Sequence, residues 1–442
     1  MNNIISYKNK NVGVLGLGIS GLAAAKILLN SNANVFAFDD LKDPPPTLPK
    51  ITWTNYQKWP WLELFAVVVS PGIPINKEIK HKAIQLALDH NVKIINDIDL
   101  FIETNPKAKI VGITGTNGKS TTVALLHHIL KFNKIKCVIG GNFGLPACEI
   151  IDPGNNGVII LELSSYQLDG TNKLSLSLAS IINITPDHLD YHDNFETYVS
   201  CKLKILKFIN NNGTLVLNKN NKFLDKLINE KKHQRIKVIK THTANYREFI
   251  NDNSSLDGNH NQINASIAIS LAKNLKVSEK KIKLSIKSFK SLPHRMEILY
   301  ASKRIKIIND SKSTNGEATA AALSSFHNVF WIVGGQPKID GIGEAKGYLD
   351  RVVECFIIGE SYDFFATQIS KYQERIKLNK SITLKNATEL AIKNAQKSNL
   401  KKLVILLSPS AASFDQFKDF EERGDKFKKI IDNQIKEGVL TC

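Results

Sequence analysis

The sequence predicts an α/β fold in three domains, and three observations carry that expectation. A chain of 442 residues that is 43% hydrophobic exceeds what one core normally supports. Two glycine-rich turns, Gly16-x-Gly18-x-x-Gly21 and Gly112-Ile-Thr-Gly-Thr-Asn-Gly-Lys-Ser-Thr121, each sit between a short apolar strand and a helical pattern. A third run of short aliphatic strands, each ending in small polar residues, begins near Leu292-Pro-His-Arg295.

In chain order, Asn11 to Leu15 reads as a strand, Ser20 to Leu29 as a helix, and Asn34 to Phe38 as a strand ending at Asp39-Asp40. The turn between the first two has nearly the spacing of a dinucleotide fingerprint, with an acid 18 residues after its last glycine. A tight turn that merely packs would produce the same pattern, and an NAD-dependent oxidoreductase is a functional alternative. Ala66 to Val69 reads as a further strand running into Ser70-Pro-Gly-Ile-Pro74. Ligands of open α/β sheets sit at such C-terminal strand ends. Pro44-Pro-Pro46 and the loop to Pro60 are expected on the surface of this unit.

Lys109 to Ile113 reads as the next strand and Thr121 to Phe132 as the helix it feeds. The intervening turn, Gly115, Thr116, Asn117, Gly118, Lys119, Ser120 and Thr121, is built to cradle polyphosphate. Glycines let backbone N–H groups converge on phosphate oxygens, and the helix N-terminus adds positive partial charge. Lys119 reaches the terminal phosphates, and the Ser120 hydroxyl can hold Mg2+. ATP is therefore the expected first substrate. The loop is a variant, because Ile113 stands where the strict pattern has its first glycine.

Val158 to Leu161, Ser180 to Ile184 and Thr214 to Leu217 read as strands of the same unit. The first delivers Glu162, a carboxylate that could meet Mg2+ held by Ser120, since Mg2+ needs few protein oxygens beside water and phosphates. A solvated or helix-capping glutamate is the plainer alternative. The second ends in Asn183-Ile-Thr-Pro-Asp-His188-Leu-Asp190, one imidazole and two carboxylates near a sheet's C-terminal edge. Lys202 follows on a helix read as Phe195 to Phe208. It is an ordinary solvated lysine or, beside a metal, one that must be neutralised or chemically modified. Lys219 to Asp257, polar and lysine-rich, reads as helix and surface hairpin.

In the last unit, Ile305 to Asn309 ends in Asp310-Ser-Lys-Ser-Thr314, Val329 to Val333 in Gly334-Gly-Gln-Pro-Lys338, and Leu403 to Leu407 in Ser408-Pro-Ser-Ala-Ala-Ser413. Cys355 to Ile358 is a further strand. Hydroxyls and lysines on one rim suit a small anionic, hydrogen-bonding substrate, although helix capping by Ser and Thr accounts for some of them.

The formal charge is +18, but the lysines come as scattered pairs such as Lys231-Lys232 and Lys401-Lys402, without an aromatic-and-basic RNA signature or a helix-turn-helix pattern. Small anionic substrates fit that field, and nucleic acid is not an expected partner. No apolar run reaches a membrane span, and the N-terminal residues lack the blocks of a signal peptide. A cytoplasmic chain with no membrane partner is expected. Five cysteines, Cys137, Cys148, Cys201, Cys355 and Cys442, are scattered without paired spacing, which argues against a disulfide framework or a zinc site.

Together these segments resemble the Mur ligases of peptidoglycan synthesis over nearly the whole chain, and most closely the family's D-glutamate-adding member. The Gly-Thr-Asn-Gly-Lys loop is common to the family. Asp310-Ser-Lys-Ser-Thr-Asn315 and Ser408-Pro-Ser-Ala-Ala-Ser-Phe-Asp-Gln-Phe417 with Phe420 resemble the D-glutamate branch, and no Asp-Asn-Pro-Arg motif of the diaminopimelate- or lysine-adding ligase is present. The resemblance implies a Rossmann-like N-terminal domain (1–97) for a UDP-substrate, a P-loop ATPase-like central domain (98–291) and a Rossmann-like C-terminal domain (292–442) for the amino acid.

The same resemblance assigns Gly18, Ile19, Ser20, Asp39, Gly72 and Asn142 to the UDP-substrate rather than to NAD. It assigns one Mg2+ to Ser120 and Glu162, and a second to His188 and a carbamate on Lys202. Asn264, Arg295 and Asp310 match positions that contact ATP; Thr314, Lys338, Ser413 and Phe420 match positions around D-glutamate. Lys312 matches a lysine facing the acyl group, so Lys119, His188, Lys202 and Lys312 form the implied catalytic set. The implied reaction is ATP-dependent amide formation between UDP-N-acetylmuramoyl-L-alanine and D-glutamate through an acyl phosphate; the sequence does not fix the oligomeric state, and a monomer is expected. Other amide ligases of the family and a non-catalytic nucleotide-binding module are the alternatives. Gln336-Pro337 departs from the family's pattern beside Lys338, where an acid or glycine is expected.

Overall fold

The computed structural model describes residues 3–41, 48, 50–219, 221, 223–226, 236–250, 253, 256, 258–338 and 341–440. Pro44-Pro-Pro46, Cys442 and parts of the lysine-rich segment 219–257 lie outside the described residues. The chain divides into two compact units, residues 1–249 with 263–287, and residues 250–262 with 288–442.

The first unit holds two parallel sheets. The N-terminal sheet comprises β1 (Asn11–Leu15), β2 (Asn34–Phe38), β3 (Thr52–Trp53), β4 (Leu64–Val69) and β5 (Lys93–Ile95) in the order β3-β2-β1-β4-β5. Helix α1 (Ile19–Asn30) follows β1 and packs Ala23, Ala24, Ile27 and Leu28 with Val12, Val14, Val35 and Val68. The opposite face carries Trp59 and Trp61 together with Ala83 and Ile84 of α2 (Lys82–Asp89). Gly21 has to be glycine, because a Cβ there would stand 1.9 Å from the Gly16 carbonyl oxygen. That close approach seats α1 directly against the turn.

The middle sheet begins after α3 (Asp97–Glu103), which is capped by a reciprocal Asn96–Asp99 pair. Its strands β6 (Lys109–Thr114), β7 (Cys137–Gly141), β8 (Val158–Glu162), β9 (Leu176–Ile181), β10 (Ile209–Asn218) and β11 (Lys237–Thr241) run in the order β11-β10-β9-β6-β8-β7, all parallel. The central β6 feeds α4 (Lys119–Phe132), and its neighbours in the sheet lead in opposite directions along the chain. This is the switch point at which doubly wound sheets bind ligands.

Several boundaries differ from the sequence expectation, among them β10, expected at Thr214 to Leu217 and found at Ile209–Asn218, and the later strand expected from Cys355 and found from Val352. The strand placed at Ser180 to Ile184 is Leu176–Ile181, because the chain leaves the ladder once the Ile182 amide has bonded to the Thr114 carbonyl. The helix placed at Phe195 to Phe208 is α7 (Phe195–Leu203) followed by a tighter turn, Lys204–Phe208. Helix α5 (Ser165–Gly170) precedes β9, and the single-turn α6 (Leu189–His192) lies between β9 and α7.

The second unit is built on a six-stranded sheet: β12 (Glu297–Ala301), β13 (Ile305–Asn309), β14 (Val329–Gly334), β16 (Val352–Ile358), β17 (Lys377–Ile382) and β18 (Leu403–Leu407), ordered β12-β13-β18-β14-β16-β17. Only the β12–β13 pair within it is antiparallel. A two-stranded ribbon, β15 (Gln336–Pro337) with β19 (Ala411–Ala412), ties two of its C-terminal rim loops together. The central strands are buried on both faces, as parallel sheets under helices require.

Candidate functional site

The phosphate loop gets its shape from its glycines and from a neighbouring asparagine. Gly118 caps α4 in the left-handed conformation (φ 86°), and a Cβ there would lie 2.2 Å from Asn264 Oδ1. The glycine therefore both permits the turn and lets Asn264 lie directly against the loop. Asn183 Oδ1 accepts the amides of Thr116 (3.0 Å) and Asn117 (2.9 Å), and its Nδ2 donates to the Asn117 carbonyl (3.1 Å). The sequence had flagged Asn183 only as the start of a polar segment. Lys119 curls back so that Nζ donates to the carbonyls of Gly115 and Thr116, both at 2.8 Å. The α4 N-terminus and this ammonium thus share one end of the loop, an anion-binding arrangement.

Beneath the loop, Ser120 Oγ donates to Glu162 Oε2 at 2.6 Å, and Asn142 Nδ2 donates to Glu162 Oε1 at 2.8 Å. The sheet makes this meeting: β6 and β8 are neighbours with Ile113 opposite Glu162, and β7 pairs on the far side with Gly141 opposite Glu162. Ser120 and Glu162 are both buried, at 1% and 2% exposure. A buried carboxylate, a hydroxyl and an amide are hard oxygen donors that fit Mg2+ completed by phosphate and water oxygens. Among the described residues no group of three or more His, Cys, Asp or Glu forms a self-sufficient metal cage.

On the other side of β6 the chain after β9 places His188, itself in the left-handed region (φ 55°). Its Nδ1 lies 2.7 Å from the Tyr166 hydroxyl and its Nε2 lies 3.4 Å from Asp187 Oδ2. Lys202 is not a solvated lysine. It is 2% exposed, donates to the Gly115 carbonyl at 2.8 Å, and lies 4.7 Å from the Tyr198 ring centroid. Burial, and next the charge of Lys119, push its pKa well below the ordinary lysine value, while Asp187 and Glu162 oppose that shift.

The N-terminal turn presents an open cradle. Gly18 caps α1, and nothing stands within 4 Å of where a Cβ would be at either Gly18 or Gly72. Ile19 is 79% exposed beside it. Asp39 accepts the Leu17 amide and so holds the turn from the end of β2, and Ser70 Oγ donates to the Gly16 carbonyl at 2.7 Å. Ser20 is hydrogen-bonded to the buried Asp97. Tyr191 OH donates to the Pro71 carbonyl at 3.1 Å and its ring lies 4.1 Å from that of Tyr166. The Ser70–Gly72 turn is thereby linked to the surroundings of His188.

In the second unit, Asp310 at the end of β13 accepts the Met296 amide (3.1 Å) and the Ser408 hydroxyl (3.2 Å). Burial raises its pKa from 3.8 to about 7 against those bonds and the nearby Arg295 charge. Lys312 Nζ sits 4.7 Å over the Phe420 ring, so two residues assigned from different segments do meet. Ser413 is buried and its carbonyl accepts the Gln416 and Phe417 amides. The Thr314 amide donates to the Lys312 carbonyl, and the Lys338 carbonyl accepts the Gly341 amide. The departure at Gln336-Pro337 is the β15 half of the β15–β19 ribbon, which ties the loop carrying Lys338 to the one carrying Ser413.

Sequence reasoning missed Arg423. It is fully buried and donates to Ser311 Oγ and to the carbonyls of Ser311, Ala411 and Ala412, pinning the rim loops together. Its spacing from the buried Phe427 and Ile431, one residue in four, was the available signal.

The Asp310 shift has a measurable sign. Its folded pKa lies above its unfolded value, so between about pH 4 and 7 the native state keeps a proton that the unfolded chain has released. Stability contributed by this group therefore falls as pH rises through that window and is level above it. Asp310→Asn should flatten the decline, narrowing the Tm difference between about pH 5 and pH 8 by several degrees. An unaltered Tm profile in the variant would remove the buried proton.

Comparison with known proteins agrees with this geometry. Residues 113–262 match the family described as the Mur ligase middle domain, and residues 10–96 match the Mur ligase MurD-like N-terminal domain. The UDP-N-acetylmuramoylalanine–D-glutamate ligase of Rickettsia bellii is 34% identical over 96% of this chain and 98% of its own. That of Novosphingobium aromaticivorans is 35% identical over 99% and 98%. In fold, MurF ligase from Thermotoga maritima in complex with ADP superposes with a TM-score of 0.57 at 14% identity, covering 98% of both chains. UDP-N-acetylmuramate-alanine ligase MurC from the same organism gives 0.57 at 17%, covering 96% of this chain and 99% of its own. With relatives this similar along its whole length, the chain belongs to the Mur ligase family, among the UDP-N-acetylmuramoylalanine–D-glutamate ligases.

Proposed function

We propose that this chain joins D-glutamate to UDP-N-acetylmuramoyl-L-alanine, using ATP to activate the carboxylate as an acyl phosphate, for peptidoglycan precursor synthesis. The observation that carries this is the Asn142–Glu162–Ser120 chain directly beneath a lysine-bearing phosphate loop, in a protein whose relatives bear that activity in their names. A carboxylate is a poor acyl donor, and phosphorylation supplies the leaving group that the amine of D-glutamate then displaces. Transferring the phosphoryl group requires crowded negative charge to be neutralised. Lys119 does this from the phosphate loop, and Lys312 faces the acyl group. Gly115 to Thr121, Asn264, Arg295 and Asp310 hold ATP. Gly18, Ile19, Ser20, Asp39, Gly72 and Asn142 hold the UDP-substrate, and Thr314, Lys338, Ser413 and Phe420 hold D-glutamate. The domains are 1–97, 98–291 and 292–442, and the enzyme works as a cytoplasmic monomer.

Ser120 and Glu162 would hold one Mg2+, which supplies charge neutralisation for the phosphates. Lys202 contributes as a carbamate, beside His188, toward a second. Its depressed pKa supports that chemistry, since only a neutral amine attacks CO2. The nitrogen forms the new N–C bond as one C=O pair moves onto oxygen, the amine's proton passes to solvent, and the buried neutral amine becomes an anionic oxygen donor. CO2-stripped buffer should then lower turnover, and added bicarbonate should restore it; a rate indifferent to both would exclude the carbamate.

The overall assignment is tested by phosphate release in the presence of UDP-N-acetylmuramoyl-L-alanine while amino acids are varied. Release should require both that acceptor and D-glutamate. Stimulation by L-alanine or L-lysine instead would move the chain to another branch of the family, and ATP binding without any stimulated turnover would make it a non-catalytic module.

A further inference from the structure

From the bonds around Thr116 we infer that Tyr198 is a positioning residue for the nucleotide loop, acting through the Thr116 side chain; this rests on the ATP assignment above. Thr116 Oγ1 has three neighbours at hydrogen-bond distance: the Thr185 amide at 3.0 Å, the Thr185 carbonyl at 3.1 Å and the Tyr198 hydroxyl at 2.8 Å. A threonine hydroxyl carries one proton and two lone pairs. The amide has to donate to it, and the carbonyl has to accept its proton. Tyr198 is then left as the second donor, and the hydroxyl is saturated.

That saturation fixes the Thr116 side chain in one rotamer, with its backbone amide already held by the carbonyl and Oδ1 of Asn183. Residue 116 is in this way fastened to the strand-end segment Asn183–Thr185 and to α7 at once. The fastening is buried: Tyr198 is 1% exposed.

Tyr198 also reaches the neighbouring loop residue by a second route. One helical turn further along α7, Lys202 Nζ lies 4.7 Å from the Tyr198 ring centroid and donates to the Gly115 carbonyl. The hydroxyl of Tyr198 therefore holds residue 116 while its ring backs the lysine that holds residue 115. Two consecutive residues of the loop take their positions from one aromatic side chain outside it. Preorganising the loop removes an ordering cost that polyphosphate would otherwise bear on binding.

Tyr198→Phe deletes the hydroxyl and keeps the ring, so it separates the two routes. Binding of a non-hydrolysable ATP analogue with Mg2+, measured by titration calorimetry, should weaken by about 3- to 10-fold, the range of one lost buried hydrogen bond. The KM for ATP should rise in parallel while that for D-glutamate stays within about twofold, a split that general loosening of the fold would not give. Thr116→Val, which removes all three bonds, should show a loss at least as large, and Thr116→Ser should recover most of it. The double variant Tyr198→Phe with Thr116→Val should be no weaker than Thr116→Val alone, because the hydroxyls act through one another. Tyr198→Phe binding the analogue like wild type, additive losses in the double variant, or Thr116→Ser failing like Thr116→Val would each overturn the inference. Wild-type protein that binds no analogue would instead overturn the ATP assignment itself, and this inference with it.

Discussion

Lys119→Ala should lower turnover at saturating substrates by about 100- to 1,000-fold, the loss seen when one preorganised charge facing a transition state is removed. The geometry makes this lysine unusually ready. Its Nζ is parked on the carbonyls of Gly115 and Thr116, both 2.8 Å away, so the side chain already lies along the loop that leads into α4. An incoming polyphosphate needs only to draw the ammonium off two neutral acceptors, at little cost in side-chain ordering. Lys119→Arg should rescue poorly, because a planar fork does not replace a point charge at that spot. A second effect follows from the charge itself. Lys119 is the second-largest cause of the depressed Lys202 pKa, so its removal should raise the fraction of Lys202 that is protonated and increase the bicarbonate needed for whatever activity remains. Phosphate release as a function of ATP and bicarbonate, with a melting curve to confirm the fold, measures both. Full turnover in Lys119→Ala would remove the phosphate-loop assignment.

Residues whose roles follow from strand ends were legible in the sequence, and residues whose roles follow from loop-to-loop bonds were not. Asn11–Leu15, Asn34–Phe38, Ile305–Asn309 and Leu403–Leu407 are strands at the expected bounds, since an aliphatic run stopped by a polar or glycine-rich turn has few other ways to fold. Ser120 and Glu162, 42 positions apart, were expected to meet because each terminates or follows a strand at the same sheet edge, and they meet at 2.6 Å. Cys137–Gly141 escaped notice, and Lys237–Thr241, in the segment expected to hold a surface hairpin, is instead a parallel edge strand, because lysines and glycines dilute the period of an edge strand. Asn183 and Tyr198 escaped because hydrogen bonds between loops leave no periodic trace. A lone lysine is usually solvated, and nothing local separates that reading of Lys202 from a modified lysine beside a metal; the packing of α7 buries it. Arg423 stands in the charged run Phe420-Glu-Glu-Arg-Gly-Asp-Lys, where neighbouring acids and a lysine mask it. Its spacing from Phe427 and Ile431 hints at the buried face, but the carbonyls of the Ser311 and Ala411–Ala412 segments that satisfy its guanidinium are distant in sequence.

Glu162→Gln should raise the Mg2+ concentration needed for half-maximal turnover by about tenfold or more and lower the maximal rate by about 100-fold, while the fold persists. Glutamine keeps the shape and can keep both bonds: its oxygen accepts from Asn142 Nδ2, and its amide turns toward Ser120 Oγ, which is able to accept. What disappears is the charge. A carboxylate at 2% exposure carries a desolvation cost that the glutamine amide does not, so melting temperature should stay level or rise in the variant. Stability and activity then move in opposite directions, which is the mark of a group retained for its charge. A glutamate serving only to orient Ser120 would behave differently, because the glutamine variant would keep the hydroxyl in place and retain its rate at ordinary Mg2+. Phosphate release measured over a range of Mg2+ concentrations separates the two cases, and an unshifted Mg2+ dependence would sink the metal assignment while leaving Lys119 and the phosphate loop untouched.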